Sequence, residues 1–225
     1  MQNKITYIFA SRSRPDKFFS AIDNIANLSA SKDYEIICSL DIDDKSMNNK
    51  EVIDRFFTYK NIVAVFGTSS GKVAAINREV RLISKDTSIL VTMSDDMVFT
   101  QQGFDDIIRV DMQKYFPDND GCLHYPDGSQ VQSRLITLSI MGMKYFKRFG
   151  YIYNPCYQSL WCDMEFGEVA KMLGKYKFLP NSKIFKHAHP LWTKEPYDAL
   201  MKRNESFYNS DKEVYLKRLV NKFDL

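Results

Sequence analysis

The most constraining feature of the sequence is a short apolar run that ends in two adjacent acids. The run Ile-Leu-Val-Thr-Met occupies residues 89–93 and is followed by Ser94, Asp95 and Asp96. An apolar run of this length between polar residues predicts a buried central strand of a parallel sheet. Ligands of such sheets bind just beyond the carboxyl ends of the strands. Because neighbouring carboxylates repel each other, we expect a divalent cation that also holds a diphosphate here. A solvated turn with an aspartate cap on the next helix is the alternative.

Three further apolar runs precede this one, each followed by a helical pattern. Strands are predicted at 5–10, 34–40 and 61–66, and helices at 15–28, at 50–59 and from Lys72 onwards. This alternation favours an α/β fold with a mostly parallel central sheet and helices on both faces. After residue 100 a helix is predicted at 103–115, short strands at 122–125, 135–141 and 184–186, and helices at 144–149, from Trp161 and within 194–225. We therefore also expect a small second sheet and a C-terminal helical tail.

Length and composition fit one large domain with an appended tail. The chain has 225 residues, 44% of them hydrophobic and 26% charged, so it can bury a sizeable core. We expect a main domain at 1–192, with a nucleotide-binding half at 1–100 and an acceptor half at 101–192, and a helical extension at 193–225. The net charge of +3 is too small to indicate nucleic acid by itself. Residues 171–225 carry 12 Lys and Arg against 6 Asp and Glu, which suits an anionic polymer, a membrane surface or a solvated face.

The cysteines and the N-terminus bear on the compartment. The four cysteines include no Cys-x-x-Cys pair, so a zinc site of that spacing is not expected. The first residues lack a signal-peptide pattern, and no apolar run approaches the length of a membrane span. We therefore expect a soluble, cytoplasmic protein without an integral membrane segment.

Two polar loops follow the first and second predicted strands. The first carries Ser11, Arg12 and Arg14, whose donors suit the base and phosphates of a nucleotide. The second carries Asp41 and Asp43, which can accept hydrogen bonds from a base or a ribose. A polar surface loop and a solvated acidic turn are the alternatives. If both loops bind, the nucleotide lies at the carboxyl edge of the sheet.

A loop with two glycines follows the third predicted strand. Residues 67–78 read Gly-Thr-Ser-Ser-Gly-Lys-Val-Ala-Ala-Ile-Asn-Arg. The glycines permit close backbone approach, and the next helix begins with Lys72 at its positive end. This is not a Walker A loop, because the spacing is one residue short and Val73 stands where Ser or Thr is required. Lys72 and Asn77 can still contact a phosphate or a sugar, and a helix start with a polar face is the alternative.

The second half supplies one acid and two histidines of interest. Asp163 lies in the first turn of a predicted helix, where a general base can point into a cleft. A simple helix cap is the alternative. His187 and His189 are two residues apart, so in an extended segment they share a face and can reach one metal site.

In their order and spacing, these features resemble the GT-A glycosyltransferases, especially the broad family-two type, over about residues 4–192. The resemblance implies a nucleotide pocket, a metal site and a catalytic aspartate. The residues implied for the nucleotide are Ser11, Arg12, Arg14, Asp41, Asp43, Lys72, Asn77, Ser94 and Asp95. Those implied for the metal are Asp95, Asp96, His187 and His189, and Asp163 matches the catalytic aspartate. The sequence departs from the Asp-x-Asp element of that family, because the first acid falls on Met93.

The resemblance also implies an activity: metal-dependent, inverting transfer of a sugar from a nucleoside diphosphate to an acceptor hydroxyl. Manganese or magnesium is the expected metal, uridine diphosphate the expected carrier, and a surface glycan the first candidate acceptor. A hydroxylated DNA base, as in phage DNA glycosyltransferases, is the second. Two alternatives stay open, a nucleotidyltransferase and an inactive nucleotide-sugar-binding module. The Ser-Arg-Ser-Arg-Pro loop lacks the glycines that are typical of nucleotidyltransferases, which weighs against the first.

Overall fold

The structure is a computed structural model that describes residues 3–129, 134–194 and 196–225. Its strands are β1 (Lys4–Ser11), β2 (Tyr34–Asp41), β3 (Ile62–Gly67), β4 (Thr87–Met93), β5 (Met97–Phe99), β6 (Cys122–His124), β7 (Ile140–Gly142), β8 (Tyr176–Phe178) and β9 (Phe185–His187). Its helices are α1 (Pro15–Leu28), α2 (Lys50–Phe56), α3 (Lys72–Arg78), α4 (Phe104–Tyr115), α5 (Met143–Phe146), α6 (Cys162–Met172), α7 (Pro190–Thr193), α8 (Ala199–Glu205) and α9 (Tyr208–Val220).

A seven-stranded sheet in the order β3-β2-β1-β4-β7-β6-β8 forms the centre of the molecule. Strands β1 to β4 are mutually parallel, β7 is antiparallel to both of its neighbours, and β8 is parallel to β6. Strands β5 and β9 form a separate antiparallel pair. The expected mostly parallel sheet, small second sheet and helical tail are therefore confirmed.

The sheet lies between two apolar cores because its strands alternate their side chains between the faces. In β1, Ile5, Tyr7 and Phe9 belong to one core, whereas Ile8 belongs to the other. The first core is closed by α1, α2 and α4, and the second by α3, α5, α6 and α9. Both faces of the central strands are thus buried, which explains why β4 is nearly continuous in apolar residues.

One predicted strand is shorter than expected. The sequence pattern favours a strand over 135–141, whereas the strand β7 begins only at Ile140. Its ladder with β4 ends at the pair Val91 and Ile140, and one more bond joins the Thr92 amide to the Ser139 carbonyl. Thr137 instead donates its hydroxyl hydrogen bond to Asp127, 3.0 Å away. A strand needs a partner along its length, and in this register β4 ends at Met93, opposite residue 138, so residues 135–137 have no β4 residue opposite them.

The C-terminal tail contains α8 and α9, and α9 packs against α6. Tyr215 and Phe223 of the tail are buried in the second core. In the described part of the chain, no helix combines the length and apolar character needed to cross a bilayer.

Candidate active site

A cavity of about 450 Å³ opens at the carboxyl ends of β1, β2 and β4. This is a size typical of small-molecule sites. The parallel strands bring their C-terminal loops to one edge, and the start of α6, the end of β9 and the helix α8 complete the wall. The predicted site residues that line it are Ser11, Arg12, Arg14, Asp41, Lys72, Ser94, Asp95, Asp96, Asp163, His187 and His189.

Asp95 lies at the tip of β4 and is held by the first loop. It accepts hydrogen bonds from the Ser11 hydroxyl at 2.9 Å and from the Arg14 guanidinium at 2.8 Å. Burial raises the pKa of Asp95, and the charge of Arg14 opposes that rise. Arg14 also binds Asp198 of the tail through two hydrogen bonds of 2.8 and 2.9 Å. The first loop therefore connects the tip of the central strand to the C-terminal tail.

Asp41, at the end of β2, is surrounded by donors. Its carboxylate accepts from Arg12 at 2.9 Å and from the Ser69 hydroxyl, and Arg78 lies 3.6 Å away. Arg12 also forms two hydrogen bonds with Asp43, of 2.6 and 2.9 Å. Hydrogen bonding from Arg12 lowers the pKa of Asp43. This corner pairs one buried carboxylate with a guanidinium, so it presents both an acceptor and donors to a ligand.

Asp96 and His187 meet because β5 pairs with β9. In that pair Met97 lies opposite His187, and the Ala188 amide donates to the Asp96 carbonyl at 2.8 Å. As a result the Nε2 atom of His187 lies 3.3 Å from the Asp96 carboxylate. Burial alone would raise the pKa of Asp96, but the contact with His187 and the hydroxyl of Ser94 lower it overall.

His189 lies beside this pair, with its ring 5.4 Å from that of His187. Burial lowers the pKa of His189, and the neighbouring His187 lowers it further, so the neutral imidazole is favoured. A neutral imidazole is the form that binds metals.

Whether these groups suit a metal is decided by their number and chemistry. Among the described residues no group of three or more His, Cys, Asp or Glu side chains is placed to hold an ion. Asp95 is engaged by Arg14, whereas Asp96 and His187 offer one carboxylate and one imidazole at close range. The Nδ1 atom of His187 is buried and has no hydrogen-bond partner in the described residues. Two protein ligands fit a cation that shares its remaining positions with substrate phosphates, as Mg²⁺ commonly does.

Asp163 lies in the first turn of α6 and lines the cavity. Its Oδ1 atom accepts a hydrogen bond from the Met164 amide at 2.9 Å. Burial raises the pKa of Asp163, and the charge of Lys72 partly offsets this. Lys72 also lines the cavity, and in the described residues its ammonium forms no salt bridge. A buried carboxylate with a raised pKa and few partners is suited to take up a proton.

Two predicted site residues do not line the cavity. Asp43 is largely exposed and pairs with Arg12. The side chain of Asn77 joins α3 to the loop before α6, because it donates to the Tyr153 carbonyl at 2.6 Å and accepts from the Ile152 amide at 3.0 Å. These contacts give Asn77 a place in the packing of the second core rather than in the cavity.

Sequence reasoning missed the part of the cavity wall that the tail supplies. These residues are Leu200, Met201, Arg203, Asn204, Glu205 and Tyr208. It also missed Ser69, although that residue lies in the glycine-containing loop. The amphipathic pattern of 194–225 predicts helices, but no local signal indicates that they cover the sheet edge.

Comparison with known proteins adds to this geometry. No protein-family model and no curated protein sequence matches the chain. The mannosyltransferase PcManGT from Pyrobaculum calidifontis, solved with GDP-Man and Mn²⁺, matches with a TM-score of 0.65 at 15% identity, over 80% of this chain and 56% of its own. Residues 1–349 of TarS from S. aureus, in complex with UDP-GlcNAc, match with a TM-score of 0.67 at 12% identity, over 92% and 64%. This chain has the GT-A fold.

A third structural match is an enzyme whose name is not that of a glycosyltransferase. A 4-diphosphocytidyl-2C-methyl-D-erythritol synthase from Anaerococcus prevotii matches this GT-A chain with a TM-score of 0.54 at 12% identity, over 80% of this chain and 87% of its own. The chain spans only 56% of PcManGT and 64% of the TarS fragment. At these sequence identities the structural similarity establishes the fold alone, and the activity has to be inferred from the chemistry of the cavity.

Proposed function

We propose that the protein is a glycosyltransferase that uses a nucleoside diphosphate sugar and a divalent metal. The observation that carries the proposal is the cavity itself, where the basic first loop, the acids of β2 and β4, His187 and Asp163 lie around one space. PcManGT and TarS, which share the fold, were solved with GDP-Man and UDP-GlcNAc respectively.

The carboxyl ends of β1 and β2 are the proposed nucleotide pocket. Asp41 accepts hydrogen bonds there, and Arg12 and Arg14 supply positive charge next to it. Uridine diphosphate stays our first choice of carrier, since a carboxylate beside a guanidinium matches the N–H and carbonyl groups of uracil. Guanine carries the same combination of groups, so a GDP-sugar belongs in the same screen.

Asp96 and His187 are the proposed metal ligands, with His189 close by. A divalent cation held there, Mn²⁺ or Mg²⁺, would neutralise the charge that develops on a departing diphosphate. Lys72 and Arg14 line the same cavity and add positive charge from the protein. We expect Asp95 to act through Arg14 and Ser11, because both hold its carboxylate.

Asp163 is the proposed general base. Its carboxylate takes the proton from the acceptor hydroxyl as that oxygen attacks the anomeric carbon, and the bond to the diphosphate breaks on the opposite face. A single displacement of this kind inverts the anomeric configuration. The raised pKa of Asp163, caused by burial, suits the proton transfer.

A donor screen tests the proposal. The protein is incubated with UDP- and GDP-sugars and Mn²⁺ or Mg²⁺, and release of the nucleoside diphosphate is measured with and without EDTA. We expect metal-dependent release from one class of donor and retention of donor binding in the Asp163→Asn variant. Absence of binding and of release with every donor would overturn the proposal, and binding without release would favour an inactive binding module.

A nucleotidyltransferase is the second candidate, because the diphosphocytidyl synthase shares the fold and matches over 87% of its own length. The first loop argues against it, since Ser-Arg-Ser-Arg-Pro contains no glycine. The two activities differ in their products. Pyrophosphate release from a nucleoside triphosphate and a sugar phosphate would favour this second candidate.

For the acceptor we propose a surface glycan made in the cytoplasm, with a hydroxylated DNA base as the rival outcome. The basic segment 171–225 suits either an anionic membrane or DNA. Binding of duplex DNA at two salt concentrations distinguishes them, because phosphate contacts weaken steeply as salt rises. We expect no salt-sensitive shift of DNA, and such a shift would favour the rival.

A further inference from the structure

One face of α9 contacts the chain on both sides of Asp163. The face consists of Tyr208, Asp211, Tyr215 and Arg218, which are spaced three, four and three residues apart and therefore lie along one side of the helix. Their partners lie in residues 157–165, which contain the loop before α6 and its first turn. We call this stretch the base segment.

Asp211 holds the backbone of the base segment. Its carboxylate is 1% exposed and accepts hydrogen bonds from the amides of Gln158, Ser159 and Leu160, at 3.0, 2.8 and 2.8 Å. Three donors on one buried carboxylate form a charge-assisted set, which is stronger than neutral hydrogen bonds. The last of these amides is three residues before Asp163.

The next residue, Trp161, has a left-handed backbone conformation with φ of 63°. Bulky residues rarely adopt this conformation unless their surroundings enforce it. The Trp161 ring lies 5.5 Å from the ring of Tyr208 and 5.2 Å from that of Tyr215. Thus α9 holds both the backbone before Trp161 and its side chain, at the point where the chain turns into α6.

Arg218 holds the other side of Asp163. It forms two hydrogen bonds with Glu165, of 2.7 and 3.0 Å, and the Tyr157 hydroxyl donates to the same carboxylate at 2.7 Å. Glu165 is buried, and these three hydrogen bonds offset the cost of burying its carboxylate. α9 therefore holds the base segment at 158–160, at 161 and at 165, with Asp163 between the last two points.

The base segment also contacts the helix that carries Lys72. The Gln158 carbonyl accepts from the Val73 amide at 3.0 Å, and a Cβ atom on Gly71 would lie 2.5 Å from that carbonyl oxygen. Asp211 thus holds a loop that touches the start of α3 and leads into the start of α6. Both helix starts present side chains, Lys72 and Asp163, to the cavity.

We propose that Asp211 is a positioning residue for Asp163: the C-terminal helix sets the orientation of the proposed base through the three amides of residues 158–160. This rests on the proposed function for the role of Asp163. Among the residues that the structure describes, Asp211 forms no hydrogen bond with Arg12, Arg14 or Asp41 of the proposed nucleotide pocket, so it should affect turnover more than donor affinity. A misplacement of about 1 Å in a reacting group can reduce a rate about a hundredfold.

The test compares Asp211→Ala and Asp211→Asn with the control Glu213→Gln, an exposed acid on the same helix. Backbone amide exchange is measured by mass spectrometry, together with kcat and KM for the nucleotide-sugar and the melting temperature. We expect exchange at residues 158–160 to become at least about tenfold faster in Asp211→Ala. We expect kcat to fall about 10- to 100-fold while KM for the donor changes less than about threefold. Asp211→Asn should be intermediate and Glu213→Gln should match the wild type.

Three results would overturn the inference: unchanged exchange at 158–160, faster exchange there with unchanged kcat, or a general loss of protection with an equal loss of donor affinity. The last would make Asp211 merely structural. If Asp211→Ala does not fold, Asp211→Asn decides the matter by the same criteria. If the wild type transfers no sugar, the proposed function is wrong, while the exchange rates still decide whether Asp211 holds the base segment.

Discussion

Replacement of Asp163 by Asn separates the proposed base from the rest of the cavity. Asn is nearly isosteric and keeps an oxygen that can accept from the Met164 amide, so the first turn of α6 should be preserved. It cannot take up a proton. General-base catalysis contributes about 10²- to 10⁴-fold, which at about 1.4 kcal/mol per tenfold corresponds to roughly 3–5 kcal/mol of transition-state stabilisation. We expect kcat to fall by that factor.

The same substitution should leave donor binding nearly intact. In the described residues the carboxylate of Asp163 forms no hydrogen bond with Arg12, Arg14 or Asp41 of the proposed nucleotide pocket. Its electrostatic partners are Lys72 and His187. We therefore expect the Kd for the nucleoside diphosphate to change less than about threefold, because the substitution removes no hydrogen bond of the proposed nucleotide pocket. Asp118→Asn, which alters an exposed ion pair with Lys144, is the matched control. Titration calorimetry gives the affinity, and nucleoside diphosphate release gives the rate.

A stability measurement completes this prediction. Burial raises the pKa of Asp163 in the folded protein. An acid with a raised folded pKa stabilises the fold at low pH and loses that contribution as the pH rises through the folded value. The Asn variant carries no charge, so at pH 7 it should melt at a higher temperature than the wild type. By the same shift, the wild-type rate should increase with pH through a pKa above that of an ordinary aspartate. A variant that turns over at more than a tenth of the wild-type rate would refute the reasoning.

Three further predictions concern the proposed metal ligand Asp96, the ion pair between Asp120 and Arg148, and the packing of Gly71 against the base segment. Because Asp96 is a proposed metal ligand, EDTA should weaken nucleoside diphosphate binding to the wild type at least about tenfold in calorimetry. EDTA should have little effect on binding to Asp96→Asn. Equal weakening in both proteins would count against Asp96 as a ligand. Hydrogen bonding by Arg148 lowers the pKa of Asp120 to about 2. Asp120→Asn should therefore reduce the free energy of unfolding by about 1–2 kcal/mol at pH 7. Denaturant titrations should show the difference between variant and wild type shrinking as the pH falls from 4 towards 2, where the wild-type carboxylate becomes protonated. Gly71→Ala should destabilise the protein by roughly 1–3 kcal/mol, since the new Cβ would lie 2.5 Å from the Gln158 carbonyl; an unchanged melting temperature would contradict that packing.

The fold was predictable because its signals are local. Apolar runs such as residues 89–93 and helical spacing such as that of α1 depend on near neighbours, so one sequence reveals them. The edge of the sheet that carries the cavity follows from the same alternation, since parallel strands end together. Short strands are harder to recognise, because β5 and β8 each have three residues and are defined mainly by their partners.

The candidate site was predictable where a residue follows directly from a strand end. Ser11, Asp41 and Asp95 lie at the tips of β1, β2 and β4, and the topology alone brings them together. Asp43 also follows a strand end, and Asn77 lies in the helix after β3, but their side chains form other contacts. The direction in which a loop side chain points depends on a few backbone angles, and these are set by the neighbours that the loop packs against.

By itself, the sequence determined the parallel sheet, the edge that carries the cavity and the types of group placed there, because all three follow from patterns within a few residues. The tertiary structure decided which groups meet. The pairing of β5 with β9 brings His187 to Asp96 across 90 residues, and the packing of α9 brings Asp211 to the amides before Asp163. Such contacts depend on the burial of distant surfaces against each other, and no local pattern records that.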